Sequence, residues 1–198
     1  MTTTLGAAAG CLGTAAIGFV EKQYIDPGYV YNGVLAGLVS ITSPCAVVSP
    51  FGAIVVGLIG SLVYVGASKG VKAAGIDDAV DAFAVHGACG AWGVIACGLF
   101  ATPFYYSVSY YGDRKDACAG LFYGGKASGS FAAAFACVFV ILAWVGSTMG
   151  ALFGTLKATG LLRVSQEIED AGLDDSKHGG AMSEVVAASV DGVKATEA

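Results

Sequence analysis

One histidine and a short run of carboxylates are the residues whose types and spacing could support chemistry in this chain. His86 is the only histidine inside a long apolar stretch, and no acidic or basic residue occurs between Asp81 and Asp113. An ionisable side chain at bilayer depth costs several kcal/mol unless it lines a pore or finds a partner. His86 is therefore a candidate pore residue. The alternative is a histidine packed within a helix interface.

The surroundings of His86 favour a small polar solute. At 100° per residue, a helical imidazole at this position shares its face with mostly small residues, namely Ala82, Phe83, Cys89, Gly90 and Gly93. A neutral imidazole can both donate and accept a hydrogen bond. We expect it to accept a hydrogen bond from a compact weak acid, or to relay a proton that such an acid releases.

The carboxylates come just before this segment, where a helix is expected to start. Asp77 and Asp78 are predicted to cap the free N–H groups of the first turn, where the helix dipole also favours negative charge. Asp81 is predicted to fix the same helix start by bonding backbone donors. A direct role of Asp78 or Asp81 in a cation path is the secondary possibility.

Charge distribution identifies the class of protein. Charged residues make up 13% of the chain, against about 25% in an average soluble domain, and the hydrophobic fraction is 56%. A helix needs roughly 20 residues to cross a bilayer, so the uncharged stretches predict an all-α membrane bundle of about five spans. The expected spans are about 2–20, 30–47, 52–67, 79–104 and 127–162.

The remainder, 164–198, is expected to be a solvated acidic tail. It holds eight acidic residues and two lysines, while residues 1–163 have a net charge of +1. No basic patch remains that would bind nucleic acid. Lysine and arginine are more frequent on the side that holds the C-terminus, by seven to three, which predicts a cytoplasmic tail. The lipid bilayer is thus the first expected partner.

Cysteines and glycines have mostly structural interpretations. The six cysteines form no CxxC pair, so neither a disulfide framework nor a zinc site is expected. The thirty glycines are expected to let helices approach closely in lipid. No nucleophile–base pair, metal cluster or phosphate-binding loop is evident, so the sequence predicts neither an enzyme nor a cofactor.

Several runs of residues carry a resemblance to a known family. NGVLAGLVSIT (32–42), SPCAVVSPFGA (43–53) and DDAVDAFAVHGACGAWG (77–93) resemble the second half of ammonium transporters of the Amt/Rh superfamily. WVGSTMGALF (144–153) and LLRVSQEIEDAGLDDSKHGG (161–180) resemble the last span and cytoplasmic tail of its plant-type branch. The match covers nearly the whole chain in one register.

The resemblance implies a fold and several residue roles. Family members have eleven helices in two inverted halves and assemble as trimers in the membrane, with one pore in each protomer. His86 matches the second histidine of a pair at the pore centre, and Asp81 matches a mainly structural aspartate. Ser176 stands where plant-type members carry a phosphorylatable threonine, although an ordinary serine in a solvated tail is the alternative.

The resemblance begins at the family's seventh helix, and its first six helices have no counterpart in this sequence. We therefore expect a C-terminal fragment or a degenerate copy of an ammonium transporter, in which His86 lacks its imidazole partner. The preferred function is transmembrane transport of ammonium or ammonia at the plasma membrane. The alternative is a non-conducting subunit, in a homo-trimer or in a hetero-oligomer with full-length relatives.

Overall fold

A computed structural model describes residues 1–110 and 114–173, and the regular elements in these two stretches are all helical. The chain divides into two compact units, Met1–Leu142 and Ala143–Ala198. The described residues form seven α-helices: α1 (Thr2–Lys22), α2 (Pro27–Thr42), α3 (Pro50–Ala73), α4 (Cys89–Phe100), α5 (Pro103–Ser109), α6 (Ala132–Ala158) and α7 (Gln166–Ala171). π-helical turns at Phe83–Ala88 and Ala127–Phe131 lead into α4 and α6, and a 3₁₀ turn occupies Leu121–Tyr123.

Three helices begin with the same pair of a capping side chain and a proline. Asp26, Ser49 and Thr102 each accept a hydrogen bond from a backbone N–H two or three residues later. The proline that follows each cap occupies the first helical turn, where its missing N–H is not needed. Proline at these positions therefore starts helices, and α3 begins at Pro50 itself.

Four helical stretches among the described residues are long and apolar enough to cross a membrane. They are Thr2–Lys22, Pro50–Ala73, Phe83–Phe100 and Gly129–Ala158. The second expected span corresponds to α2, whose 16 residues extend only about 24 Å at 1.5 Å per residue. It is shorter than the four stretches and does not reach the thickness of a bilayer core.

Four of the expected spans differ in their bounds from the helices: 52–67 is α3, Pro50–Ala73, and the other three differ for local reasons. Span 30–47 ends at Thr42, and a turn follows in which Val47 and Val48 donate to the carbonyl of Pro44. Span 79–104 becomes helical at Ala82 and ends at Phe100, because the Thr102 cap starts a separate helix. Span 127–162 is interrupted by non-helical backbone at Gly129 and ends at Ala158, two residues before Gly160 with φ +71°.

The core of the first unit is a close crossing of α1, α2 and α3 over glycine. A Cβ added to Gly10 would lie 2.5 Å from the carbonyl oxygen of Gly33 and 2.7 Å from the Cα of Gly37. Cβ atoms on Gly37 or Gly57 would clash with the carbonyl oxygen of Gly6. These helices touch through their backbones, which is the use of small residues expected in lipid.

Helix α6 has a different environment. Ala134, near the start of the helix, is buried, whereas large apolar side chains such as Phe139 and Trp144 are at least 70% exposed. For its glycines at 146, 150 and 154, an added Cβ would have no atom of the described residues within 4 Å. Most of its apolar surface is thus left without a neighbour among the described residues.

Candidate functional site

His86 lies in a π-helical turn at the entrance to α4. The turn spans Phe83–Ala88, and the carboxylate of Asp78 accepts hydrogen bonds from the backbone N–H groups of Ala82 (2.7 Å) and Phe83 (2.9 Å). Asp78 therefore has the geometry of a cap at this helix start. The imidazole of His86 is exposed, and no hydrogen bond joins it to the described part of the chain.

The expected common face around His86 is only partly present. Phe83 and Ala82 are exposed like His86, but Cys89 is fully buried, with its sulfur 3.6 Å from the carbonyl oxygen of Gly60. Gly93 is also buried, because a Cβ there would lie 2.6 Å from the carbonyl oxygen of Ser40. The expectation assumed α-helical geometry, whereas a π turn contains an extra residue. The residues after the turn consequently point in other directions than an α-helical wheel predicts.

A polar cluster surrounds Asp81 at the N-terminal side of this turn. The hydroxyl of Tyr64 donates to Asp81 Oδ2 (2.8 Å), and the hydroxyl of Ser68 donates to Asp81 Oδ1 (2.7 Å). Asn32 Nδ2 donates to the Tyr64 oxygen (2.9 Å) and lies 3.4 Å from Asp81 Oδ2. Lys72 Nζ lies 3.7 Å from Asp81 Oδ1. We call Asn32, Tyr64, Ser68, Lys72 and Asp81 the Asp81 cluster; it joins α2 and α3 to the His86 turn.

The prediction that the Asp81 side chain bonds backbone donors is wrong. Its backbone has φ +54°, in the left-handed region that is uncommon for residues other than glycine. In this conformation the carboxylate faces α2 and α3 and takes its donors from side chains, whereas its backbone carbonyl accepts from Val85 N (2.9 Å). Asp78, and not Asp81, bonds the free N–H groups of the helix start.

The charge state of Asp81 follows from these neighbours. Partial burial raises the pKa of this carboxyl, but the hydroxyls of Ser68 and Tyr64 and the ammonium of Lys72 together lower the pKa below its usual value. The side chain is 14% exposed. Asp81 is therefore an ionised carboxylate at neutral pH, held by four donor groups in a largely buried position.

Sequence reasoning missed the partners of Asp81. Asn32 stands near the start of the expected span 30–47, and Tyr64 and Ser68 lie in the long uncharged stretch 27–68. The spacing of Tyr64 and Ser68 indicates a shared partner. Residues four apart share a helix face, so the two hydroxyls point in one direction. A carboxylate in a neighbouring loop is the acceptor that such a pair requires, because buried hydroxyls need partners.

A cavity of about 210 Å³ borders the Asp81 cluster, and charged side chains line much of it. Lys22 pairs with Asp26, and Lys69 pairs with Glu21, whose carboxylate also accepts from the hydroxyl of Tyr29 (3.1 Å). These pairs join the C-terminal ends of α1 and α3 to the start of α2. The charged ends of the three helices thus lie on one side of the unit.

The other end of the same unit contains a larger cavity, and its described lining residues carry no charge. It measures about 480 Å³, and its lining includes Ser43, Cys97, Tyr106, Tyr110 and Cys118. Over the described residues, no group of three or more His, Cys, Asp or Glu side chains could hold a metal ion. Ser176, the candidate phosphorylation site, lies outside the described residues.

Comparison with known proteins identifies the family. The sequence model described as Ammonium Transporter Family matches residues 1–183. This chain belongs to that family. It is 43% identical over 185 residues to ammonium transporter 1 member 2 of Arabidopsis thaliana and 40% identical to ammonium transporter 1 member 1 of Solanum lycopersicum. Both alignments cover 91% of this chain but only 34% and 36% of the relatives.

Two solved structures share the fold of this chain. A structure titled "Sensor Amt Protein" matches with a TM-score of 0.74 and 28% identity over 89% of this chain and 40% of that one. Saccharomyces cerevisiae Mep2 matches with a TM-score of 0.73 and 24% identity over 82% of this chain and 38% of its own. The chain is an integral membrane protein of the ammonium transporter fold, and it spans about a third of the length of the curated relatives it matches.

Proposed function

We propose that this chain takes part in the transport of ammonium or ammonia across a membrane, with His86 as a pore histidine. Membership of the Ammonium Transporter Family is the observation that carries the proposal. The exposed imidazole on the π turn supports it, because an ionisable side chain in an apolar segment needs a pore or a partner. A neutral imidazole can accept the hydrogen bond of an ammonium ion or donate one to ammonia.

The exposure of His86 also defines what the proposal requires. In this chain one side of the histidine turn has no neighbour among the described residues, and inverted-repeat transporters form their substrate site between two halves. We propose that a second helical unit, from another copy or from a full-length relative, covers this side in the membrane. Assembly as a trimer fits this requirement and is part of the same proposal.

An uptake measurement tests the role of His86. The chain is expressed in cells that lack their own ammonium uptake, and entry of isotopically labelled ammonium is compared for the parent, His86→Ala and His178→Ala. His178, the other histidine of the chain, is the matched control. We expect uptake to fall to the level of cells without the chain for His86→Ala and to persist for His178→Ala. Equal uptake by the parent and His86→Ala would contradict the proposal.

A second candidate function is favoured by the exposed apolar surface of α6. The chain covers only about a third of its relatives, and the apolar side chains of α6 are exposed. Such a chain could join assemblies of full-length transporters without conducting. In that case co-expression with a full-length relative lowers the relative's uptake, while the chain alone supports none. Uptake by the chain alone would exclude this alternative.

The location and orientation belong to the same proposal. We place the protein in the plasma membrane with its C-terminus in the cytoplasm, because lysine and arginine are more numerous on that side. Lys22 pairs with Asp26 and Lys69 pairs with Glu21 at the same end of the first unit. This supports counting both lysines on the same side of the membrane. Phosphorylation of Ser176, which would add charge to the tail, stays a prediction.

A further inference from the structure

The π turn that contains His86 is an uncommon conformation that something must hold in place. π-helical geometry is rare and occurs mostly as single turns within α-helices, often at functional sites. Here it covers Phe83–Ala88, and the residue two positions before it, Asp81, has φ +54°. A left-handed backbone at a residue other than glycine is itself unfavourable. Two uncommon conformations thus occur next to each other.

The Asp81 cluster provides the stabilisation that these conformations need. Tyr64 and Ser68 donate to the two different carboxylate oxygens of Asp81 at 2.8 and 2.7 Å, and Asn32 donates to the Tyr64 oxygen at 2.9 Å. Two hydrogen bonds to a charged acceptor can together offset the cost of one unusual backbone conformation. These donors lie on two other helices, so they hold Asp81 against the core.

Backbone hydrogen bonds connect Asp81 to the turn that contains His86. The carbonyl of Asp81 accepts from Val85 N at 2.9 Å, and the N–H of Cys89 bonds the carbonyls of Ala84 and His86. Val85 and Cys89 are 2% and 0% exposed, whereas the His86 between them is exposed. The turn therefore has one face locked in the core and presents His86 on the opposite face.

We propose that Asn32, Tyr64 and Ser68 are positioning residues: they hold Asp81, keep the turn π-helical and so set the direction in which His86 points. This inference rests on the proposed function only in assigning His86 a transport role. The positioning itself is a property of the fold. None of the three side chains needs to touch the substrate, since they act through Asp81.

Thiol labelling tests the positioning without requiring transport. Val85→Cys places a thiol on the buried face of the turn, and modification by a maleimide at that position is quantified by mass spectrometry of the peptide. We expect slow labelling in the otherwise unchanged chain. With Tyr64→Phe and Ser68→Ala added together, we expect labelling about tenfold faster, since the loss of one hydrogen bond to a charged group already corresponds to about that factor.

Matched variants separate positioning from general damage. Tyr31→Phe removes a hydroxyl from an exposed tyrosine of α2, and Ser107→Ala removes one from an exposed serine of α5. Both should leave labelling at position 85 unchanged. Ser68→Thr retains a hydroxyl at the donor position and should stay close to the parent, while Ser68→Ala alone should show an intermediate rate. If the double variant does not accumulate, these two single variants decide the question.

Uptake provides the second readout. The double variant should lower ammonium uptake and change its pH profile, because a redirected imidazole meets a different environment. Unchanged labelling at position 85 in Ser68→Ala and in the double variant would overturn the inference, whatever the uptake. If His86→Ala transports normally while the labelling changes as expected, the proposed function fails and the positioning role stands.

Discussion

Glycines spaced by four residues have different surroundings where α1 crosses α2 and in α6. In α1 and α2, Gly6, Gly10, Gly33 and Gly37 lie where the two helices touch. An added Cβ would clash with the neighbouring main chain at Gly10, Gly33 and Gly37, and with the side chain of Ile41 at Gly6. In α6, an added Cβ at 146, 150 or 154 would meet no atom within 4 Å in the part of the chain that the structure describes. The same pattern therefore marks a contact made within the chain in one region and an open surface in the other.

The comparison shows what spacing alone establishes. Small residues at intervals of four produce a flat strip that another helix can approach, but they do not identify that helix. For α1 and α2 the partner is present in the same unit, and the strip is filled. For α6 the strip stays open among the described residues, so substitutions in the two regions should have opposite consequences.

The largest effect should come from a side chain added at the filled strip. A Cβ on Gly37 would clash with the carbonyl oxygen of Gly6 and lie 3.0 Å from the Cα of Ala7. We expect Gly37→Val to reduce the free energy of unfolding by about 3 kcal/mol, the upper part of the range for overpacking. Denaturant unfolding in detergent micelles measures this, with Gly150→Val as the matched control. Equal losses of unfolding free energy in Gly37→Val and Gly150→Val would contradict the view that one strip is filled and the other open.

A smaller effect is expected from neutralising the Asp81 cluster. Asp81→Asn keeps the size of the side chain but replaces the charged carboxylate, which accepts hydrogen bonds from two hydroxyl groups, with a neutral amide. We expect a loss of about 2 kcal/mol in the free energy of unfolding, the usual worth of a hydrogen bond to a charged group. The exposed Asp116 supplies the control variant Asp116→Asn, which should leave stability nearly unchanged. A loss in the control as large as in Asp81→Asn would contradict this expectation.

The same carboxylate predicts a dependence of stability on pH. The pKa of Asp81 is lowered in the folded chain, so its contribution is fully present above the pKa of the unfolded state. That contribution is lost as the pH falls through the lower folded value. Unfolding followed between neutral and acidic pH should show this loss in the parent and a flatter profile in Asp81→Asn. Parallel pH profiles of the parent and Asp81→Asn would mean that Asp81 does not cause the loss of stability at acidic pH.

The smallest effect is expected at the open strip. Gly150→Ala adds a methyl group where no neighbour lies within 4 Å, and alanine favours a helix by about 0.5–1 kcal/mol over glycine. We expect a modest gain in the stability of the isolated chain. Cross-linking in membranes would detect a partner on this strip, because the added methyl would then weaken the association. Unchanged cross-linking would mean that no helix packs there.

Much of the architecture could be predicted from the sequence because charge is so unevenly distributed. The uncharged stretches located all the long helices, and the resemblance predicted the family that the comparisons then gave. The boundaries could not be predicted, since they depend on single side chains. Thr102 starts a separate helix where an apolar run continues, and Gly129 interrupts another.

Within the candidate site, residue types were predictable but their geometry was not. The capping geometry of Asp78 followed from its position before the helix, whereas the pore role of His86 stays a prediction. The π turn did not follow from the sequence, because it is stabilised by side chains from helices that are distant in sequence. Asn32 is separated from Asp81 by 49 positions. The face around His86 was consequently assigned wrongly at Cys89 and Gly93.

The turn after α2 links this protein to the thickness of its membrane. Residues 43–48 are not helical, and their carbonyl groups are satisfied from elsewhere: Thr2 donates to Cys45, Ser109 to Ala46 and Thr102 N to Val47. Non-helical backbone is tolerated at membrane depth only when it is bonded within the protein. Lipids with longer acyl chains would bring this turn deeper into hydrocarbon, so the protein should be most stable in thin bilayers.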